Sequence, residues 1–134
     1  MSGRNAELVR RGYDAFSRGD LSAVFTILGE DITWHVPGRS PLSGDFTGHE
    51  QVGQFFASTM ALSGGTFRMD IQYIVDHGDE VIVLCTVAAE RNGQSWSSPE
   101  AHVWRVDGDR AVAFREFRRG QQTEDECWNS PSPA

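Results

Sequence analysis

The sequence contains no lysine: all twelve of its basic residues are arginine, and nineteen acidic residues outnumber them. The resulting formal net charge of −7 argues against a general nucleic-acid-binding protein, because such a protein needs a basic face to neutralise phosphates. The complete preference for arginine over lysine is typical of a GC-rich genome. It predicts no binding partner, and we expect no nucleic acid among the partners.

Long hydrophobic runs are also missing, and cysteine is scarce. No apolar stretch approaches the length that spans a bilayer, and no apolar leader precedes a cleavage site. We therefore expect a cytoplasmic protein without membrane contact. The two cysteines, Cys85 and Cys127, lie in an apolar run and in an acidic segment, and their positions give no support for a disulfide.

Metal and phosphate motifs are absent from the sequence. There is no Cys-x-x-Cys or His-x-His, no second histidine at metal-site spacing after His49-Glu50, and no glycine-rich loop after a strand. We expect neither a metal nor a cofactor. His35 is predicted to face sheet packing or a dimer interface, and His49 and His77 are predicted to be solvated.

The length of 134 residues suits a single domain, whose first third has helical periodicity. Val9, Tyr13 and Phe16 recur at i, i+4 and i+7 in a first helix that Asn5 caps, and Asp20 caps a second helix. Residues 31–36 alternate as a short strand. After a turn-rich segment over 39–48, a third helix is predicted up to Gly64.

The second half of the chain reads as an antiparallel sheet. Alternating apolar residues over 67–75, a continuous apolar run over 81–89 and strands over 95–106 and 111–118 are separated by turn residues. Asn92-Gly93 is a strong hairpin signal, because a type I′ turn needs positive φ at both central residues. Helices followed by strands indicate an α+β fold with the helices on one sheet face.

The apolar run over 81–89 predicts an interface. An antiparallel strand normally has one solvated face, so apolar residues on both faces indicate that the second face is covered. We expect a homodimer through this outer sheet face.

Residues 121–134 form an acidic tail, separate from the domain, whose end is expected to be disordered. Glu124, Asp125 and Glu126 are interpreted as a solvated charge run. Trp128 is a candidate lid that folds back over a pocket.

Five segments combine with the predicted order of helices and strands into a family pattern: Val9–Asp20, Trp34–Gly38, Gly48–Val52, His102–Arg110 and Phe114–Phe117. This pattern resembles the SnoaL-like, ketosteroid-isomerase-related branch of the nuclear transport factor 2-like superfamily. The resemblance implies that residues 1–120 form one such domain, a cone-shaped roll of a curved, mostly antiparallel sheet wrapped around three helices. It also implies that the cone holds an apolar small molecule.

Strand register predicts which side chains face the cone. A two-residue Asn92-Gly93 loop places Cys85 opposite Glu100 and Val83 opposite His102. If residues 107–109 form a three-residue loop, His102 lies opposite Phe114 and Glu100 opposite Glu116. The inward face then carries Val83, Cys85, Val87, Ser98, Glu100, His102, Trp104, Phe114, Glu116 and Arg118.

Three side chains are candidate catalytic residues: His102, Glu116 and Tyr13. A histidine with an ordinary pKa near 6.5 exchanges a proton at neutral pH. Burial and a second carboxyl, that of Glu100, are expected to raise the pKa of a glutamate towards a useful acid/base range. The Tyr13 hydroxyl is placed to polarise a carbonyl.

The family resemblance implies the same residues. His102 matches the strand position of an acidic oxyanion donor in ketosteroid isomerases, and His102 and Glu116 resemble the acid/base residues of SnoaL-like polyketide cyclases. Tyr13 resembles the first-helix tyrosine of the isomerases, with a following turn one residue shorter. Val36 replaces the isomerases' catalytic aspartate, so steroid isomerisation by that mechanism is not expected. A limonene-epoxide-hydrolase-like trio has Glu116 as one acid but lacks the other members.

Two classes of function are open, with a third that needs no ligand. The first is a cofactor-independent acid/base enzyme (an isomerase, cyclase or hydrolase) acting on an apolar carbonyl, polyketide-like or steroid-like compound. The second is a non-catalytic carrier of such a ligand, and the third is a structural dimerisation module with a filled cone. Predicted ligand-binding residues are Trp34, Val36, Phe55, Val83, Cys85, Glu100, Trp104, Phe114 and Arg118.

Overall fold

The computed structural model describes residues 3–119 and 121–129 and confirms an α+β fold. The Asp20 side chain caps the second helix by accepting from the Ala23 N–H at 3.1 Å, and the third helix ends at Gly64 with a φ of 61°. No helix in this part of the chain is long and apolar enough to cross a membrane. The helices are α1 (Arg4–Ser17), α2 (Leu21–Ile27), α3 (Gly48–Ser63) and α4 (Gln121–Asn129).

The six strands that the structure describes form one curved, unclosed sheet in the order β2-β1-β6-β5-β4-β3. Every neighbouring pair is antiparallel except β1 and β6, which run parallel. β2 is absent from the sequence prediction because it is only four residues long and is largely exposed, so it carries no apolar alternation. The strands are β1 (Leu28–Val36), β2 (Gly44–Thr47), β3 (Arg68–His77), β4 (Glu80–Arg91), β5 (Gln94–Asp107) and β6 (Arg110–Arg118).

The β4–β5 hairpin has the predicted register. Asn92 and Gly93 have φ values of 56° and 78°, as a type I′ turn requires. Cys85 therefore pairs with Glu100, and Val83 with His102. The side chains of β5 that the sequence placed on the inward face do lie there.

The predicted three-residue loop between β5 and β6 is wrong. Asp107 pairs with Arg110, which leaves a two-residue loop whose Gly108 has a φ of 65°. The pairing register of β5 with β6 also changes by one residue between Arg105 and Val106, next to this loop. The tighter loop and the irregularity together shift the pairing of β6 by two residues.

This shift changes which functional side chains face each other. His102 pairs with Glu116 rather than with Phe114, and Glu100 pairs with Arg118 rather than with Glu116. Because the side-chain period of a strand is two, a two-residue shift leaves the same residues on the inward face. The predicted face survives, but a cation replaces a carboxylate opposite Glu100.

A second irregularity lies in β3, where the predicted alternation fails. Ile71 pairs with Cys85, but Tyr73 pairs with Leu84, so Gln72 is an extra residue in the strand. Ile71 packs against the core, whereas Tyr73 and Val75 turn outward and are 65% and 48% exposed. The outer face of the sheet is therefore more apolar than the sequence pattern indicated.

Candidate functional site

A cavity lies between the inward face of the sheet and the helices. It encloses about 730 Å³ outside protein atoms, including its open mouth, and the centre of a water molecule can occupy about 70 Å³ of it. One water needs on the order of 10–15 Å³ by the second measure. The cavity therefore has room for several waters or for a slender ligand.

Aromatic side chains form one wall of this cavity. Trp34 on β1 stacks on Phe114 of β6 with ring centroids 3.9 Å apart, because these residues pair in the parallel β1–β6 ladder. The Trp104 ring meets the Trp34 ring edge to face with centroids 5.5 Å apart, and the Phe55 ring of α3 has its centroid 5.9 Å from that of Trp34. Such a wall suits a flat, apolar ligand.

Tyr13, His102 and Glu100 form a hydrogen-bonded chain at the polar end of the cavity. The Trp104 indole N–H donates to the Tyr13 hydroxyl oxygen at 2.9 Å, so the hydroxyl hydrogen is available for His102 Nδ1, 2.6 Å away. The Nε2–H of His102 then donates to Glu100 Oε1 at 2.8 Å. Burial lowers the pKa of His102, which favours the neutral imidazole that this arrangement requires.

Glu116 is the carboxylate that a cation holds. Its Oε2 accepts from Arg118 Nε at 2.6 Å, and its Oε1 lies 3.8 Å from His102 Nε2. Both Glu116 and Arg118 line the cavity. A charge-assisted bond of this length stabilises the ionised carboxylate and leaves Oε1 as a proton acceptor next to the cavity.

Two further carboxyl groups in the cluster have raised pKa values. Burial, and next the nearby Glu116 carboxylate, raise the pKa of Glu100 to about 8. Burial and the neighbouring Glu100 carboxyl raise the pKa of Glu124 to about 9. At neutral pH these two carboxyls therefore hold protons, and they lie beside Glu116, whose Oε2 accepts from Arg118.

Glu124 is a site residue that sequence reasoning missed. The interpretation of a solvated charge run is wrong for Glu124, which is 1% exposed and lies 3.4 Å from Arg118 Nε through its Oε1. It is also wrong for Asp125, which is half-buried and accepts from the Arg39 backbone N–H. Glu126 is exposed as expected. The available signal was the spacing of Glu124 and Trp128, which at i, i+4 share one face of a helix. Trp128 is buried and lines the cavity, as the lid interpretation implies.

The structure brings the three predicted catalytic residues, Tyr13, His102 and Glu116, to one end of the cavity. It places Val83 and Cys85 beneath that end, in the core and outside the cavity lining, and Cys85 Sγ lies 3.8 Å from the His102 ring. Burial raises the pKa of the Cys85 thiol to about 12. Val36 is likewise a core residue. The other predicted ligand-binding residues line the cavity: Trp34, Phe55, Glu100, Trp104, Phe114 and Arg118.

The remaining histidines lie away from the cavity. His35 Nδ1 is 2.6 Å from Asp45 Oδ1, a pair that is mostly exposed. His77 is exposed, but His49 is half-buried and its Nε2 lies 2.8 Å from the Leu28 carbonyl oxygen, so its predicted solvation is wrong.

One cluster in the described part of the chain has the donor atoms of a metal site. Cys85, Glu100 and His102 place one ligand atom each within 4.8 Å of one another. Both ring nitrogens of His102 are already hydrogen-bonded, to Tyr13 and to Glu100. A metal ion would have to displace one of these bonds.

Comparisons with known proteins identify the family and support the fold. The SnoaL-like domain family matches residues 9–114. The uncharacterized protein Rv0034 of Mycobacterium tuberculosis is 30% identical over 91% of this chain and 94% of its own length. Bal32a, from a soil-derived mobile gene cassette, superposes with a TM-score of 0.90 at 33% identity, covering 93% of this chain and 96% of Bal32a. An NTF2-like protein of Burkholderia pseudomallei superposes with a TM-score of 0.87 at 28% identity, covering 97% and 100%. The chain belongs to the SnoaL-like branch of the nuclear transport factor 2-like superfamily.

Proposed function

We propose that this protein is a cofactor-independent acid/base enzyme of the cytoplasm that acts on an apolar carbonyl compound. The observation that carries the proposal is the pairing of unlike carboxyls at one end of an aromatic cavity. Glu116 accepts a charge-assisted hydrogen bond from Arg118, while burial raises the pKa of Glu100 to about 8. A base and an acid that differ in this way can serve one substrate at the same time.

In the proposed reaction Glu116 Oε1 removes a proton from the carbon next to a bound carbonyl. The developing enolate oxygen accepts a hydrogen bond from the protonated Glu100, supported by the chain through His102 to Tyr13. Returning the proton at another carbon isomerises the substrate, and attack of the enolate on a second carbonyl cyclises it. Positioned acid and base groups each contribute about 10²- to 10⁴-fold to such steps.

Val36 bears on the type of reaction. It stands where ketosteroid isomerases carry their catalytic aspartate, and here it is 1% exposed in the core. The proposed base therefore lies on β6, the neighbour of β1 in the sheet, rather than on β1 itself, which favours a cyclase-like or hydrolase-like substrate geometry over the steroid isomerase one.

A non-catalytic carrier is the second candidate function. It is favoured by the saturated hydrogen bonds of Tyr13 and His102, whose polar atoms already have protein partners. A carrier would bind the same ligand and leave its protons in place. A purely structural module with a filled cone fits less well, because the cavity retains open space.

Ligand binding is the first expected result. Neutral, flat ketones such as 1-tetralone should raise the melting temperature, and a naphthoate should not, because four carboxyl groups already surround Arg118. A ligand present at 100 times its dissociation constant stabilises the fold by about 2.7 kcal/mol. The measurement is a thermal shift with each compound, on the wild type and on Trp34→Ala, which removes part of the aromatic wall. Equal melting temperatures with every compound would contradict a ligand-binding cavity.

We also propose that the outer sheet face joins two copies of the chain. Tyr73, Leu84 and Phe117 are 65%, 43% and 50% exposed and lie in one row across β3, β4, β5 and β6, with Ala101 between the last two. Apolar residues so grouped on a monomer mark an interaction surface. A second copy presents the same apolar row under two-fold symmetry, so it is the occupant that matches this face.

The dimer prediction is tested by charge insertion. Leu84→Arg should convert the protein to a monomer in sedimentation velocity, because burying an unpaired guanidinium in an apolar interface is costly. Ser58→Arg, on the exposed side of α3, adds the same charge far from the sheet face and should leave the dimer intact. A wild type that sediments as a monomer at all concentrations would overturn the proposal.

A further inference from the structure

Helix α4 is held to the sheet by one shared cation. Arg118 of β6 lies 3.4 Å from Glu124 Oε1 through its Nε and 3.7 Å from Asp125 Oδ1 through its Nη1. The same Nε donates to Glu116. The candidate base and the last described helix of the chain therefore share a single guanidinium.

A second set of contacts ties α4 to the segment between β1 and β2. The Arg39 backbone N–H donates to Asp125 Oδ2 at 3.1 Å, and Asn129 Nδ2 donates to the Arg39 carbonyl oxygen at 2.7 Å. A Cβ at Gly38 would stand 2.5 Å from Asp125 Oδ1, so only glycine permits this close approach. These contacts hold α4 across the cavity.

Trp128 makes α4 part of the cavity wall. It packs with Leu42, meets Trp96 edge to face at 5.2 Å and lies 6.4 Å from Phe67. Trp128 and Glu124 are the α4 side chains that line the cavity among the described residues. Lifting α4 would remove both of them from the cavity wall.

The closed position of α4 is incompletely satisfied. Arg118 Nη1 and Asp125 Oδ1 are buried, face each other at 3.7 Å and have no hydrogen-bond partner among the described residues. Buried polar atoms without partners cost free energy, and α4 is only nine residues long. A short terminal helix with such unsatisfied groups can open locally without unfolding the domain.

We propose that α4 is a lid: it lifts to admit the ligand, and on closing it brings Glu124 into the acid/base cluster as a positioning residue. In the closed position Glu124 Oε1 lies 3.4 Å from the same Arg118 Nε that donates to Glu116, so closure completes the cluster around this guanidinium only when the ligand is enclosed. The opening of the lid does not depend on the proposed reaction. Only the role of Glu124 in the acid/base cluster rests on the proposed function.

The charges around Glu124 predict how pH moves the lid. Among the described residues Arg118 is the arginine that faces it, the neutral His102 ring lies nearby, and the carboxyls of Glu100, Glu116 and Asp125 surround the same guanidinium. The pKa values of about 8 and about 9 for Glu100 and Glu124 mean that alkaline pH adds negative charges that one arginine cannot balance. Like charges then repel, and α4 should open above about pH 8.

Hydrogen exchange followed by mass spectrometry on the full chain tests the lid. The α4 amides should exchange faster than those of β5 and β6, and Asn129→Ala should speed α4 exchange about fivefold while the strands are unchanged. Asn5→Ala is the matched control, because it removes the same kind of bond, to the Gly78 carbonyl at 3.1 Å, far from α4. If the α4 amides exchange as slowly as those of β5 and β6, in the wild type and in both variants, the proposal is overturned.

The role of Glu124 is tested by the pH dependence of the same exchange. After correction for intrinsic rates, α4 in the wild type should lose protection between pH 7 and 9.5, and Glu124→Gln should abolish that loss. Glu126→Gln, on the exposed side of α4, should behave as the wild type. Identical pH profiles for Glu124→Gln and the wild type would remove Glu124 from the mechanism of the lid.

Binding kinetics separate the lid from the proposed function. The probe is prodan, a neutral fluorescent naphthyl ketone, mixed with protein in a stopped-flow instrument. Asn129→Ala should speed both association and dissociation several-fold while the dissociation constant changes less than about twofold. Unchanged rates with prodan bound would count against the lid. Absence of prodan binding to either protein would count against the proposed function, and the exchange rates would still decide the lid.

Discussion

Replacing Glu116 with glutamine is expected to slow proton exchange next to the carbonyl of a bound ketone by about 10²- to 10⁴-fold. Glutamine still accepts a hydrogen bond from Arg118, so the cluster keeps its shape, but the amide has no lone pair basic enough to take a proton. The measurement is deuterium uptake by 2-tetralone in heavy water, followed by NMR. The dissociation constant of the ketone should change little, because the aromatic wall around Trp34 is unchanged by the substitution.

Two outcomes would decide against this role. If Glu116→Gln binds the ketone and exchanges its protons at the wild-type rate, Glu116 is not the base. If the wild type binds ketones but exchanges no protons, the protein is a carrier of the kind favoured by the saturated Tyr13–His102 chain. Glu50→Gln, an exposed substitution on α3, controls for a general effect of removing a carboxylate.

Replacing Arg118 with methionine should lower the free energy of unfolding at pH 7 by about 3–5 kcal/mol. Arg118 is buried among four carboxyl groups, within 2.6 Å of Glu116 and 3.4 Å of Glu124, and methionine fills its space without its charge. The buried carboxyl cluster then loses its cation, and Glu116 loses its hydrogen-bond donor, which is far costlier than losing an exposed pair. The measurement is urea denaturation monitored by circular dichroism.

The pH dependence of this loss has a definite sign. The folded-state pKa values of Glu100 and Glu124, about 8 and about 9, lie above the ordinary value of 4.5. The folded protein therefore holds protons that the unfolded chain releases, so this contribution to stability is complete below about pH 4.5 and is lost as pH rises towards 8–9. The penalty of Arg118→Met should shrink at pH 5 and grow at pH 9.

Arg110→Met provides the matched control for this measurement. Its guanidinium is half exposed and lies 3.5 Å from Asp109, so its loss should cost less than about 1 kcal/mol at every pH. Equal effects of the Arg118 and Arg110 substitutions would show that the buried cluster does not stabilise the fold.

Much of the candidate site could be predicted from local patterns. Tyr13 lies on an amphipathic helix, and His102 and Glu116 lie at matching parity on two strands, so their common orientation follows from helical and strand periods alone. Their hydrogen bonds could not be predicted. Which nitrogen of His102 meets Tyr13, and which carboxylate meets Arg118, depends on distances of a few tenths of an ångström set by packing.

The sequence by itself determined the α+β order, the family and the β4–β5 register, because Asn92-Gly93 dictates its turn through local backbone preferences. Only the tertiary structure decided the partners across β5 and β6, because a tighter loop and a strand irregularity cost little locally and are selected by the packing of the whole sheet. The burial of Glu124 is the clearest case. Its acidic surroundings in the sequence indicate solvent, and its place in the site depends on Arg118, a cation on another element that the fold brings within 3.4 Å.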